Sequence, residues 1–275
     1  EADPKNPSTE AEILDYMKET YYCSEEKALL AIDIAKKDQI QLNFCNGYAQ
    51  TEVLKDVYPL VKTYKCVIKA GNRITPETFS NKIQVFSFVK GTGYICGEKE
   101  AYNIKELSFY IPNFDKETFS IYAAEDLEIA LWIVDMLESD VIAYEDTHMV
   151  LPSFKTFSQL EPYDQSCKGP HTQSWTVIND GNLARVLMGI VKAEGEGTKE
   201  RGHGEVAQWN YTLPGSDFIF TVEDESVHHE EHEFSYVKAG LDHSLVAKPG
   251  KSVGYIWFEH YVEEKKIVPQ HYESN

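Results

Sequence analysis

The chain has 275 residues, 42% apolar and 12% aromatic, enough to bury one large core or two of ordinary size and too apolar for a disordered chain. Its 26 Lys and Arg against 45 Asp and Glu give a formal charge of −19 with no basic cluster to interrupt it, which argues against nucleic acid and anionic membrane surfaces as partners. No run of about 18 apolar residues appears, so no transmembrane helix is expected, and the opening EADPKNPSTE is polar and acidic rather than leader-like.

From Ser8 to about Gln39 the apolar spacing is helical: Ile13, Leu14 and Met17, then Ala28, Leu29, Ala31, Ile32 and Ile34. STEAE has the pattern of a capping box and YYCSEE breaks the run, so an α-helical hairpin is predicted over 1–40. From Cys66 to Leu137 short alternating or apolar runs (CVIKA, IQVFSFV, TGYIC, LSFYI, TFSIYA, IALWIV) are punctuated by GN, KGTG and PNFD, a strand-after-strand pattern assigned to a first β unit over 41–150. Periodicity fades between Glu138 and Asn179, and 151–182 reads as a linker crossing the surface. The β pattern returns from Leu183 to Val262 as a second unit over 183–262, and 263–275 is a polar tail.

The two units echo one another. QVFSFVKG (Gln84–Gly91) and QWNYTLPG (Gln208–Gly215) both place a Gln seven residues before a Gly, and downstream Tyr110 aligns with Tyr236 and Glu117 with His243. Five cysteines, Cys23, Cys45, Cys66, Cys96 and Cys167, are scattered, odd in number and never in C-x-x-C, which argues against a disulfide framework or zinc knuckle and suits a reducing cytoplasm.

GHGEVAQWNYTLPG followed by EFSYVKAGLDHSLVA resembles the two signature motifs of the cupin superfamily, and the whole chain is similar to a bicupin preceded by a helical hairpin. The resemblance implies a mainly β fold of two cupin-type barrels, or jelly rolls. It places Gln208 at the carboxylate or amide position, His203 at the second His and His243 at the His of the second motif, as metal ligands. Arg201 stands where the first His is usual, and Arg has no lone pair to offer a metal. In the first unit the corresponding places are Glu77, Phe79, Gln84 and Glu117, without a His, so that unit reads as unmetallated and kept for packing against its twin.

Strand parity reaches the same chemistry. Arg201, His203 and Glu205 can share one face beside Gln208, Asn210 and Thr212, with His243 closing the set. Two imidazoles and an amide oxygen suit Mn, Fe, Ni or Zn with positions left open. Gln in place of Glu leaves the metal more positive and favours Lewis-acid chemistry, while Arg201 offers a fork to a substrate carboxylate. Glu205, Tyr211, Tyr255 and Glu259 are candidates for the general base.

The bland readings stand beside these. An inward His in a barrel is more often a core residue than a ligand. His228-His229-Glu230-Glu231-His232 reads as a solvated turn that binds Ni or Zn adventitiously at most, His260 as an ordinary polar residue that could approach the cavity, and Trp209, Tyr211, Tyr236, Tyr255 and Trp257 as sheet packing before ligand lining. The expected activity is a metal-dependent lyase or isomerase on a small carboxylate or sugar acid. An oxygenase or decarboxylase and a non-catalytic binding module are the alternatives, and aromatic strands could serve a homodimer.

Overall fold

The computed structural model describes residues 32–147, 149–164, 168–169, 171–194, 196–200, 204–247 and 250–263. The first 31 residues of the predicted helical hairpin lie outside these. Its last part is corrected: Ile32–Ala35 is a strand, β1, because Ile32 buries itself between two sheets and the IDIA backbone pairs with a later strand, a tertiary contact that outweighs local helical spacing.

A strand series follows, β2 (Tyr48–Val53), β3 (Val61–Ile68), β4 (Arg73–Ile74), β5 (Lys82–Lys90), β6 (Gly93–Gly97), β7 (Ala101–Ile104), β8 (Ser108–Ile111), β9 (Phe119–Ala123) and β10 (Leu127–Asp135), in which β3, β5, β6, β8, β9 and β10 fall on the six expected runs. Helix α1 (Glu138–Thr147) comes next. The stretch read as a linker instead supplies β11 (Ser153–Thr156), β12 (Pro162–Tyr163) and the twelve-residue β13 (Thr172–Leu183). The Asn-Asp-Gly-Asn run inside β13 hides its strand character from a sequence reading, and a bulged pairing with the next strand absorbs it. The chain ends in β14 (Val186–Glu194), β15 (Glu196–Glu200), β16 (Val206–Thr212), β17 (Asp217–Val222), β18 (Glu225–Glu230), β19 (Phe234–Val237), β20 (His243–Ala247) and β21 (Ser252–Tyr261).

These strands form four antiparallel sheets, ordered β11-β8-β5-β10-β3-β2, β4-β9-β6-β7, β1-β19-β16-β21-β14-β13-β12 and β15-β20-β17-β18. The second pair repeats the order of the first, with β5 answered by β16 and β9 by β20. Even the edge strands correspond, since β1 covers β19 as β11 covers β8. The echoed glycines have a physical cause: Gly91 and Gly215 turn the chain out of the central strand with φ of +88° and +83°, which a Cβ would strain.

Three apolar clusters hold the sheets together. One fills the space between the six-stranded sheet and its four-stranded partner with residues such as Phe88, Phe119, Ile121 and Leu131, and another does the same in the second unit with Phe218, Phe220, Leu245 and Tyr255. The third lies between the two large sheets and joins Val85, Trp132 and Val134 to Met188, Trp209, Tyr236 and Phe258. Among the described residues no helix is long and apolar enough to cross a membrane.

Candidate functional site

β16 is buried on both faces, and alternation divides its duties. Ala207, Trp209 and Tyr211 join the cluster between the large sheets, so Gln208, Asn210 and Thr212 point the other way, into the layer shared with the four-stranded sheet. On that face Gln208 Nε2 donates to Asn210 Oδ1 at 2.8 Å and Asn210 Nδ2 donates to Ser235 Oγ at 3.3 Å. This arrangement keeps the Gln208 amide oriented with its oxygen as the remaining lone-pair donor.

His243 opens β20, whose inward residues His243, Leu245 and Ala247 are all buried. Its ring lies 6.3 Å from that of Phe220, and its backbone is flanked by Val222 on one side and Glu200 on the other. Gln208 and His243 thus face one layer from its two opposing sheets, and the strand beside His243 runs on in sequence to Arg201 and His203. Those two residues lie outside the described ones.

The four candidate bases separate. Glu259 sits opposite Gln208, inward and half-buried, and Tyr255 sits opposite Thr212 on the same face. Glu205 is exposed in the turn before β16, where its carbonyl accepts from Val262 N–H at 2.9 Å. Tyr211 is a correction: its parity with Trp209 turns it to the other unit, its hydroxyl is 2.7 Å from His232 Nδ1, and burial holds its pKa well above the ordinary value. His260 is turned the same way, against Tyr58, so it does not reach the layer.

The run read as a solvated turn is also corrected. His228, His229 and Glu230 belong to β18, and alternation sends Val227 and His229 inward. His229 is 1% exposed, with Nδ1 at 2.9 Å from Thr212 Oγ1 and 3.2 Å from Glu233 Oε2. Burial would raise the Glu233 pKa, but hydrogen bonds from His229, Glu230 N–H and Lys36 outweigh it and hold the carboxyl near about 2. Burial lowers the pKa of His229, against the opposing pull of the Glu233 carboxylate. The Glu233 carboxylate, an acceptor, favours the hydrogen on Nδ1, and the Thr212 hydroxyl lies beside both ring nitrogens, 2.9 Å from Nδ1 and 3.5 Å from Nε2. Sequence reasoning passed over His229, although its period-2 relation to Val227 was legible. On the outer face of the hairpin, Asp217, His228 and Glu230 bring one ligand atom each within 4.8 Å of one another, with Lys37 Nζ 2.8 Å from Glu230.

Register also fixes the counterparts in the first unit. Gln84 is inward on β5 as Gln208 is on β16. The partner of His243 is not Glu117, however. β20 pairs Val222, Phe220 and Phe218 with His243, Leu245 and Ala247, and β9 pairs Gly97, Ile95 and Gly93 with Phe119, Ile121 and Ala123 in the same pattern, so Phe119 takes the place of the imidazole. Its ring packs on Phe86 and Tyr110 at 5.7 and 5.0 Å.

No protein-family description and no curated protein matches this sequence. Solved structures do. A protein of Pseudomonas aeruginosa named as glyoxylate induced superposes with a TM-score of 0.69 at 11% identity, covering 87% of this chain and 92% of that one. A deletion mutant of oxalate decarboxylase from Bacillus subtilis gives 0.61 at 12% identity over 82% of this chain and 76% of its own. These neighbours have the cupin fold, and so does this chain; at such identities the likeness is one of fold.

Proposed function

We propose that the chain is a bicupin whose second barrel is a metal-dependent lyase or isomerase for a small carboxylate or sugar acid. The observation that carries this reading is the placement of Gln208 and His243 on opposing sheets of one buried layer in a cupin fold. The donor chemistry fits: an oriented amide oxygen and an imidazole are ligands that Mn, Fe, Ni and Zn accept, and His203 would complete the set. Such a metal supplies Lewis-acid polarisation of a substrate carbonyl or hydroxyl.

The chain's own residues take the remaining roles. Arg201 binds the substrate carboxylate through its guanidinium fork, and Glu259, opposite Gln208, is the best-placed of the candidate bases to move a proton. His229 with Thr212 lines the same layer beside Glu233. Neighbours of the same fold include an enzyme named for oxalate, which supports a small acid as substrate and makes a decarboxylase the second reading. Elemental analysis of untagged protein tests the proposal. We expect near-stoichiometric transition metal that vanishes in the His203→Ala/His243→Ala variant; no metal in either protein after reconstitution would sink it.

A further inference from the structure

The cluster between the two large sheets is apolar, and beside it a group of charges crosses from one unit to the other. His232, in the turn between β18 and β19, carries one ring nitrogen, Nδ1, 2.7 Å from the Tyr211 hydroxyl of its own unit and 3.4 Å from Glu128 Oε2 of the first unit. Glu128 lies on β10, where Lys90 Nζ is 3.1 Å from its Oε1 and Lys65 Nζ 3.7 Å from its Oε2. The side chains of His232 and Glu128 are 15% and 17% exposed, enough for a proton to exchange with water, whereas Tyr211 is buried.

One nitrogen cannot serve both partners in one protonation state. Burial holds the Tyr211 pKa well above its ordinary value, so the phenol keeps its hydrogen, and among the described residues the hydrogen-bond partner of its hydroxyl is Nδ1. A hydrogen on Nδ1 would leave the buried phenolic hydrogen without an acceptor, so the neutral imidazole meets Tyr211 with a lone pair on Nδ1 and carries its own hydrogen on Nε2. That lone pair gains nothing from the Glu128 carboxylate. Protonation reverses the preference: Nδ1 becomes a charged donor, the phenol loses its acceptor and the carboxylate acquires a partner. Burial lowers the His232 pKa, Glu128 raises it, Lys65 lowers it, Glu231 raises it and Lys90 lowers it, with a net shift downward from 6.5. Burial would raise the Glu128 pKa, but the charges of His232, Lys90 and Lys65 bring it down, so it faces the ring as a carboxylate.

We propose that His232 is a proton-operated link between the two units: neutral, it accepts from Tyr211 within the second unit, and protonated, it donates to Glu128 of the first. The same turn borders the candidate layer, since His232 N–H donates to the Thr212 carbonyl at 2.8 Å and the next residue, Glu233, holds His229. Acidification therefore ties to the first unit a turn that is otherwise anchored in the second. The link does not depend on the metal centre proposed above.

Long-range proton–nitrogen spectra of the imidazole rings, with His232 assigned by through-bond correlation to its backbone, test the proposal. In the neutral state Nδ1 should be the unprotonated nitrogen; a hydrogen on Nδ1 there would overturn it. His232 should titrate below 6.5. Glu128→Gln should move that titration further down and Tyr211→Phe should move it up, each by roughly half a pH unit or more, and a titration that neither change moves, or that moves the other way, would also overturn it. A double-mutant cycle of Glu128→Gln and His232→Gln in urea unfolding should show coupling on the acid side of the titration and little on its alkaline side; equal coupling on both sides would mean a fixed contact and no switch. The tautomer is read on the unaltered chain and decides the matter even where a variant does not fold.

Discussion

Trp132 and Phe258 stack face to face between the two large sheets, ring centroids 5.2 Å apart and planes 3° from parallel. They hold the same station in their units: Trp132 pairs with Val85, the residue after Gln84, and Phe258 with Trp209, the residue after Gln208. Corresponding positions of the two units therefore meet at this pair.

Trp132 is fully buried, and truncating it removes a ring from the centre of the cluster joining the units. Trp132→Ala should cost about 3–5 kcal/mol, and Trp132→Phe, which keeps a stacking partner for Phe258, distinctly less. Urea unfolding followed by circular dichroism measures both; equal costs would show that the stack contributes nothing beyond volume.

Arg185 and Asp140 form a two-pronged ion pair, Nε to Oδ1 at 2.6 Å and a terminal guanidinium nitrogen to Oδ2 at 2.9 Å, with both side chains buried. Asp140 Oδ2 also accepts from Leu137 N–H at 2.9 Å at the start of α1, and Arg185 Nη1 donates to the Tyr261 carbonyl. Removing one partner strands a buried charge. Asp140→Ala should lose about 3–5 kcal/mol, and the Asp140→Leu/Arg185→Met double variant less than that single change. A double variant as costly as the sum of two singles would contradict the pair's coupling.

His260 is pushed down to about 3 by burial and by the Arg185 charge, with Asp140 opposing, and its Nδ1 lies 3.2 Å from the Tyr58 hydroxyl. The unfolded chain protonates this His near 6.5 while the folded chain keeps it neutral, so the unfolded state binds more protons between those values. Stability from this group is present above pH 6.5 and is lost as pH falls from there toward about 3. Between pH 7 and 5 the loss is up to about 2 kcal/mol. His260→Gln retains an acceptor for Tyr58 and should lose less over that interval in parallel denaturant titrations.

Gln208→Glu replaces a neutral oxygen donor with an anionic one on the inward face of β16. If the proposed centre exists, the variant should retain metal against roughly tenfold more chelator than the native chain, read by elemental analysis after dialysis. A variant that loses metal more readily would argue against Gln208 as a ligand.

The sequence runs located β3, β5, β6, β8, β9, β10, β14, β16, β17, β19, β20 and β21, by alternation where one face is buried, as in β17 and β20, and as short apolar runs where both are, as in β5 and β16; β4, β7, β15 and β18 carry neither pattern. They could not find β13, whose pairing is interrupted by a bulge, nor β1, whose strand state depends on a partner some 200 residues away. The echo identified the repeat but slipped by one residue after the central strands. Tyr110, opposite Phe86, faces the interior of its unit, whereas Tyr236, opposite Trp209, faces the other unit. A one-residue slip inverts every side chain, and two aromatic letters carry no record of the face they occupy. By β9 the slip has grown to two residues, setting Glu117 against His243 where the strand pairing sets Phe119.

A twofold contact between separate copies writes every substitution twice, so its two halves must remain alike. Here the corresponding contact is closed within one polypeptide, where Trp132 faces Phe258 and a phenyl ring in one unit answers an imidazole in the other. Each half can therefore change without a matching change in the other.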